Sequence, residues 1–383
     1  MLSLILFLDC LFNHISSKTL KISYKSMYPS FDFFLIYPER YYPSNAFANT
    51  YLTKTSFVRY HIEEILPVEI KEKLKTVNYL EFKSSFELYD KTKIIDFSYI
   101  IYPSRGRQSK EGIGLAFKFE DEKFSFVHHL YNQKIIDQKV FGFTYNKEVD
   151  NGTLFFGSNS EVNYTQFKYK GEIKVNEKYT SWGSNITGIV YNNTVYPFNS
   201  YAILNTDFFG VIFSHDFFDF MIETFFKDKI DERVCTLEQM NTGCDYLVCN
   251  LEKMDISKES IKLIYGDISI KLPLSLLFTQ KQRGFVSSFY SNPFREYKNT
   301  VILGMEFISL FEFTVFDYDN KAIFLYSNSI EMFKLDSNIT REVIIKEIIA
   351  AITFICFMFG KKSNSPTGVP VIIIIFDLQF ASL

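Results

Sequence analysis

The residues of this 383-residue chain that could do chemistry are scattered, and few stand close enough to act together. His128 and His129 are adjacent, but neighbours on a helix point about 100° apart and cannot hold one metal ion between them. They read as surface or half-buried histidines. Cys235, Cys244 and Cys249 fall within fifteen residues of one another. Three cysteines so close suit one disulfide and one further thiol in an oxidising compartment, whereas a zinc site would need a fourth ligand that the neighbourhood lacks. Asn-x-Ser/Thr sequons at Asn151, Asn163, Asn185, Asn192 and Asn338 are glycosylation acceptors if the chain enters the secretory pathway. There is no G-x-S-x-G, P-loop, H-E-x-x-H, dinucleotide-binding glycine pattern or C-x-x-C. No metal and no cofactor is implied.

The elements that must position these residues are mostly strands. The chain holds 43 Phe and 25 Tyr against one Trp, 16 Gly and 10 Pro, a strand-forming composition. Short alternating or β-branched runs recur between turn signals, at Lys139–Tyr145, Gly152–Gly157, Ser260–Tyr265 and Glu312–Asp317. Two segments read as helices. Glu122–Ile135 places Phe126, Leu130 and Tyr131 on one face, and Ser214–Ile230 opens on the N-cap residue Ser214. Many strands with a few short helices indicate an all-β protein. Its 41 basic and 44 acidic residues are well mixed, for a net charge of −3, which leaves no electrostatic footprint for nucleic acid.

The ends suggest a compartment. Residues 1–17 read as a secretory signal peptide, apolar from Leu2 to Phe12 apart from Asp9. Residues 343–359 read as a membrane-associated or spanning segment, with Lys361 and Lys362 opening a tail over 360–383. Lysines just after the apolar run would put the tail on the cytoplasmic side and the bulk of the chain outside. The expected location is the secretory pathway, extracellular or membrane-anchored.

Two apolar-apolar-Gly elements stand in similar company. Gly112–Phe117 (GIGLAF) precedes the first helix, and Val301–Ile308 (VILGMEFI) precedes a short helical segment and then FEFTVFDYDNKAIFLY. Here the chain resembles the pepsin-like aspartic proteases, in which each of two lobes holds such an element beneath a catalytic loop. Phe126–Tyr145 and Asn151–Thr165 are similar to the helix, strand and Gly-rich hairpin that follow in that family, and Tyr201–Phe213 to the approach to its second Asp-Thr-Gly. The resemblance runs from Thr19 to Asn328 and is weakest in the first hundred residues. It implies a bilobal all-β fold, with lobes over 19–175 and 176–330.

The chemistry of that family requires two facing carboxylates that share one proton, because like charges so close cannot both ionise. Registered on the flanking strands, the first aspartate position falls on Pro38 and the second on Asn205, so neither triplet is intact. Glu39 and Asp207 are the displaced acids nearest to those positions. A flap hairpin is expected over Val68–Leu88, with Glu72 where the family has a substrate-covering Tyr. Gly114 and Gly304, the glycines of the two crossing elements, join Glu72 as expected cleft residues. Cys249 lies where the family places half of a disulfide, and Cys235 is its expected partner. The resemblance thus implies a catalytically degenerate monomer whose cleft takes an extended peptide or protein segment by β-type pairing. The alternatives are an active endopeptidase with a displaced acidic pair and a structural surface protein without a peptide site.

Overall fold

The computed structural model describes residues 19–25, 30–36, 41–51, 58–59, 72, 80–88, 92–101, 112–118, 121–146, 151–158, 164–191, 194–206, 210–241, 243–250, 260–281, 284–287, 289–291 and 300–334. The chain divides into two compact units, Met1–Leu335 and Asp336–Leu383, and all described residues belong to the first. The expected signal and membrane segments lie outside the described residues. Among the described residues no helix is long and apolar enough to cross a membrane.

The fold is all-β. A closed barrel joins strands Ser30–Ile36, Tyr41–Tyr51, Gly112–Gly114, Val58–Arg59, Lys93–Ile101 and Leu80–Leu88, in that spatial order. A six-stranded antiparallel sheet follows the order Leu20–Lys25, Asn151–Phe156, Val140–Asn146, Phe313–Asp317, Ala322–Ser327, Tyr169–Lys174. It draws strands from both sides of the expected lobe boundary at 175/176. An eight-stranded sheet is built from the second half of the chain, with Thr300–Leu303 between Val211–Phe213 and Thr194–Leu204. A four-stranded sheet holds the hairpin of Cys235–Gln239 with Asp245–Cys249.

The six-stranded sheet alternates as a strand period of two requires. Phe141, Phe143 and Phe316 point into the main core, while Val140, Phe155 and Phe313 form a smaller apolar cluster. Phe141 stacks on Phe316 at 4.7 Å, and Phe155 stacks on Phe313 at 4.9 Å. Each such pair contributes about 0.5–1.5 kcal/mol beyond area burial. Gly142 makes the second stack possible. A Cβ there would lie 2.3 Å from the Phe155 ring and 2.5 Å from the Thr314 carbonyl oxygen.

The four strands expected from the sequence form, three of them with bounds shifted by one residue and Ser260–Tyr265 unchanged. The first helix is shorter than expected. Glu122–Phe124 is a 3₁₀ turn and Ser125 leaves it extended, so the α-helix runs only over Phe126–Asn132, with the Ser125 side chain accepting from the His128 amide. Phe126, Val127 and Leu130 are buried, but Tyr131 is exposed. The second helical region runs from His215 to Asp231 and includes a π-helical turn over Ile222–Phe226. Ser214 caps it by position, without a side-chain hydrogen bond.

Candidate active site

The second expected aspartate position lies at the end of strand Thr194–Leu204. That strand runs parallel to Thr300–Leu303, with Leu204 opposite Leu303. On its other side Thr300–Leu303 pairs antiparallel with Val211–Phe213. The chain segment that joins the two arms begins with Asn205 and Thr206, both buried. Three backbone bonds hold its two ends. Leu204 N–H donates to the Trp182 carbonyl (2.9 Å), Asn205 N–H to the Leu303 carbonyl (3.0 Å), and Gly304 N–H to the Gly210 carbonyl (3.0 Å). Gly304 then starts the short helix Met305–Ile308.

The first half of the chain repeats this arrangement. Tyr41–Tyr51 runs parallel to Gly112–Gly114, with Thr50 opposite Ile113 and Tyr51 opposite Gly114. Val58–Arg59 pairs antiparallel on the other side, with Val58 opposite Gly112. Superposing Gly114 on Gly304 makes Thr50 the counterpart of Leu204 and Tyr51 the counterpart of Asn205. The spacing agrees, since as many residues separate Tyr51 from Val58 as separate Asn205 from Ile212, which faces Ile302.

In this register the residue opposite Gly114 is Tyr51. Pro38 and Glu39 lie outside the described residues, between two antiparallel strands in which Ile36 faces Tyr41. They precede the strand that leads to the first loop instead of following it. The strand Tyr41–Tyr51 has eleven residues, and at the usual rise it spans roughly 33 Å. Asp207 also lies outside the described residues. Of the expected flap, only Glu72 and Leu80–Leu88 are among the described residues. Leu80–Leu88 pairs with Lys93–Ile101 and with Ser30–Ile36, and Glu72 is an exposed residue in helical conformation. Gly114 and Gly304 are both buried.

Two side chains that sequence reasoning missed hold the first crossing element. Trp182, the chain's one tryptophan, is fully buried, and its Nε1–H donates to the Leu115 carbonyl at 2.6 Å. The Tyr318 hydroxyl donates to the Ala116 carbonyl at 3.0 Å. Burial pushes the Tyr318 phenol far above its usual range, so it remains a donor at any ordinary pH. The rings meet each other at 4.9 Å, and Trp182 also packs edge-on against Phe117, Phe141 and Phe316. Two consecutive carbonyls just after Gly114 are thus held by residues far away in sequence.

The other expected residues have separate fates. Cys235 and Cys249 form a disulfide and face each other across the hairpin. His128 and His129 diverge. The Nδ1 of His128 lies 2.7 Å from Ser125 Oγ, and the Nε2 of His129 lies 2.7 Å from the Ile95 carbonyl. Asn151 is exposed, whereas the Asn185 side chain donates to Asn199 and accepts from Asn176. Asn163, Asn192 and Asn338 lie outside the described residues.

A family model described as eukaryotic aspartyl protease matches residues 103–327, more than half of the chain. The chain belongs to the eukaryotic aspartyl protease family. The match starts after the first loop in the chain. Among solved structures, this family member is similar to an aspartic proteinase from Irpex lacteus, at 13% identity and a TM-score of 0.56 over 81% of this chain and 98% of that one. It is also similar to conglutin gamma, a unique basic 7S globulin from lupine seeds, at 12% identity and a TM-score of 0.61 over 82% and 96%. At these identities both likenesses concern the fold. Comparison with curated protein sequences gives no match.

Proposed function

We propose that this aspartyl protease family member does not cut peptide bonds, and instead holds an extended peptide or protein segment in its cleft. The observation that carries this reading is the pair of residues at the two crossing loops, Tyr51 and Asn205. An aspartic dyad works because one carboxylate takes a proton from water while the other donates one. Asn keeps the shape of Asp but neither ionises nor carries a labile proton, and a phenol ionises only near pH 10. Neither position offers a carboxylate.

An active enzyme with a displaced pair would need Glu39 and Asp207. The strand register disfavours Glu39, which stands before an eleven-residue strand whose far end meets the loop. The two similar structures support separating fold from activity, since one is named a proteinase and the other a seed globulin. The apolar run at 2–12, the segment 343–359 and the Cys235–Cys249 disulfide together favour a secretory or surface location with the fold outside the cytoplasm. The test is titration with labelled unstructured peptides, followed by mass spectrometry of the peptide. The reading expects saturable binding and an intact peptide. No saturable binding would favour a purely structural protein, and a cleaved peptide would favour an enzyme.

A further inference from the structure

Away from the crossing loops, Cys235–Gln239 forms one edge of the four-stranded sheet. It pairs with Asp245–Cys249 in unbroken antiparallel register. The ladder shows which way its backbone points. Met240 N–H donates to the Cys244 carbonyl and Asn250 N–H to the Val234 carbonyl, both at 2.8 Å. Antiparallel pairs alternate between bonded and non-bonded, so the even-numbered residues turn their N–H and C=O toward the neighbouring strand. Leu237 and Gln239 turn theirs outward, where they meet no hydrogen-bond partner among the described residues.

An open edge is a template for another strand, and folded proteins commonly blunt it with Lys, Pro or a bulge. This strand carries none of the three. It is also preformed. The disulfide ties its first residue to Cys249, and the Tyr246 hydroxyl donates across the hairpin to Glu238 Oε2 at 2.8 Å. The two faces of the strand say what would fit beside it. Leu237 lies opposite Leu247, on the face that holds the buried disulfide. Leu247 is fully buried but Leu237 is 50% exposed, so the apolar face of the sheet reaches the edge and stays half open there. Glu238 stands on the other face. Residues 235–249 hold two carboxylates, Glu238 and Asp245, and no Lys, Arg or His.

We propose that the outer edge of Cys235–Gln239 takes up an extended strand of a partner protein, with an apolar residue facing Leu237 and a basic residue facing Glu238. Main-chain pairing to Leu237 and Gln239 supplies affinity, and the two faces supply specificity. A second copy of the same strand would bring another Glu238 and no cation, so charge disfavours it as the occupant. The edge lies on a different sheet from both crossing elements and does not depend on the cleft reading.

The experiment titrates the full chain with short labelled peptides that alternate Val with Lys or Val with Glu. We expect saturable binding of the Val-Lys peptide, with the Val-Glu peptide about tenfold weaker. Leu237→Pro removes an outward N–H and no ladder bond, a place where edge strands accept Pro. It should melt with wild type and bind the Val-Lys peptide about tenfold more weakly. Glu238→Lys, which leaves the backbone edge intact, should reverse the preference toward the Val-Glu peptide. Val-Lys binding that both variants leave unchanged would overturn the proposal and place that peptide elsewhere, with the cleft reading still standing. No saturable binding of either peptide would also overturn it. A dimer in sedimentation that Leu237→Pro dissolves would overturn it in favour of a second copy.

Discussion

Tyr51 and Asn205 occupy equivalent places in the two halves of the chain. Tyr51 ends, and Asn205 directly follows, a strand that runs parallel to a crossing element; Tyr51 lies opposite Gly114, and the Asn205 amide donates to the Leu303 carbonyl. In each half the third strand returns antiparallel on the far side, through Val58 and Ile212. In the reading proposed above, these are the two places where an aspartic dyad would hold its carboxylates.

The clamp beneath the first loop is a stability element. Trp182→Phe keeps most of the ring packing but leaves the buried Leu115 carbonyl without its donor, which should cost about 1–3 kcal/mol. Tyr318→Phe should cost a similar amount through the Ala116 carbonyl. Urea unfolding of each variant checks this. Unchanged midpoints in both would show that the carbonyls find other partners.

The disulfide closes a hairpin with a sequence separation of 14. In the chain-entropy account a loop of this size gives about 3 kcal/mol. Replacing Cys235 and Cys249 together by Ser should therefore lower stability by about 2–4 kcal/mol, measured by denaturation without reductant. Reductant should lower the wild-type midpoint and leave the double variant where it is.

Burial lowers the pKa of both His128 and His129 from 6.5 in the folded chain. The unfolded chain therefore binds protons first as pH falls. The stability that these neutral histidines provide is complete above pH 6.5 and is lost as pH falls through their depressed folded values. His128→Gln should remove part of this dependence, so the gap in melting temperature between wild type and variant should narrow from pH 7 to pH 5. A gap that widens would contradict the assignment.

Much of the second half was legible because its signals are local. The run Val301–Tyr326 carries an apolar-apolar-Gly element and two strands whose alternation matches the sheet they join. The first loop was not legible. Tyr41–Tyr51 contains Pro43, Asn45 and Asn49, which read as turn residues, and it is a strand because Ser30–Ile36 and Gly112–Gly114 pair with its two edges. Registration on the flanking sequence therefore settled on Pro38, which precedes this strand. Tyr131 is exposed because it stands five residues after Phe126 in the same helix, about 140° round the axis from it. Trp182 gave no signal at all, because a lone Trp between Ser181 and Gly183 has no periodic partner. Its role exists only once residues 115 and 182 are brought together.

The central claim is that neither loop supplies a catalytic carboxylate. Its most direct test is incubation of the purified protein with a denatured protein substrate from pH 3 to pH 5, with and without a transition-state-mimic inhibitor of aspartic proteases. The prediction is no cleavage above the buffer control at any pH. Cleavage that the inhibitor abolishes, and that Asp207→Ala also abolishes, would contradict it.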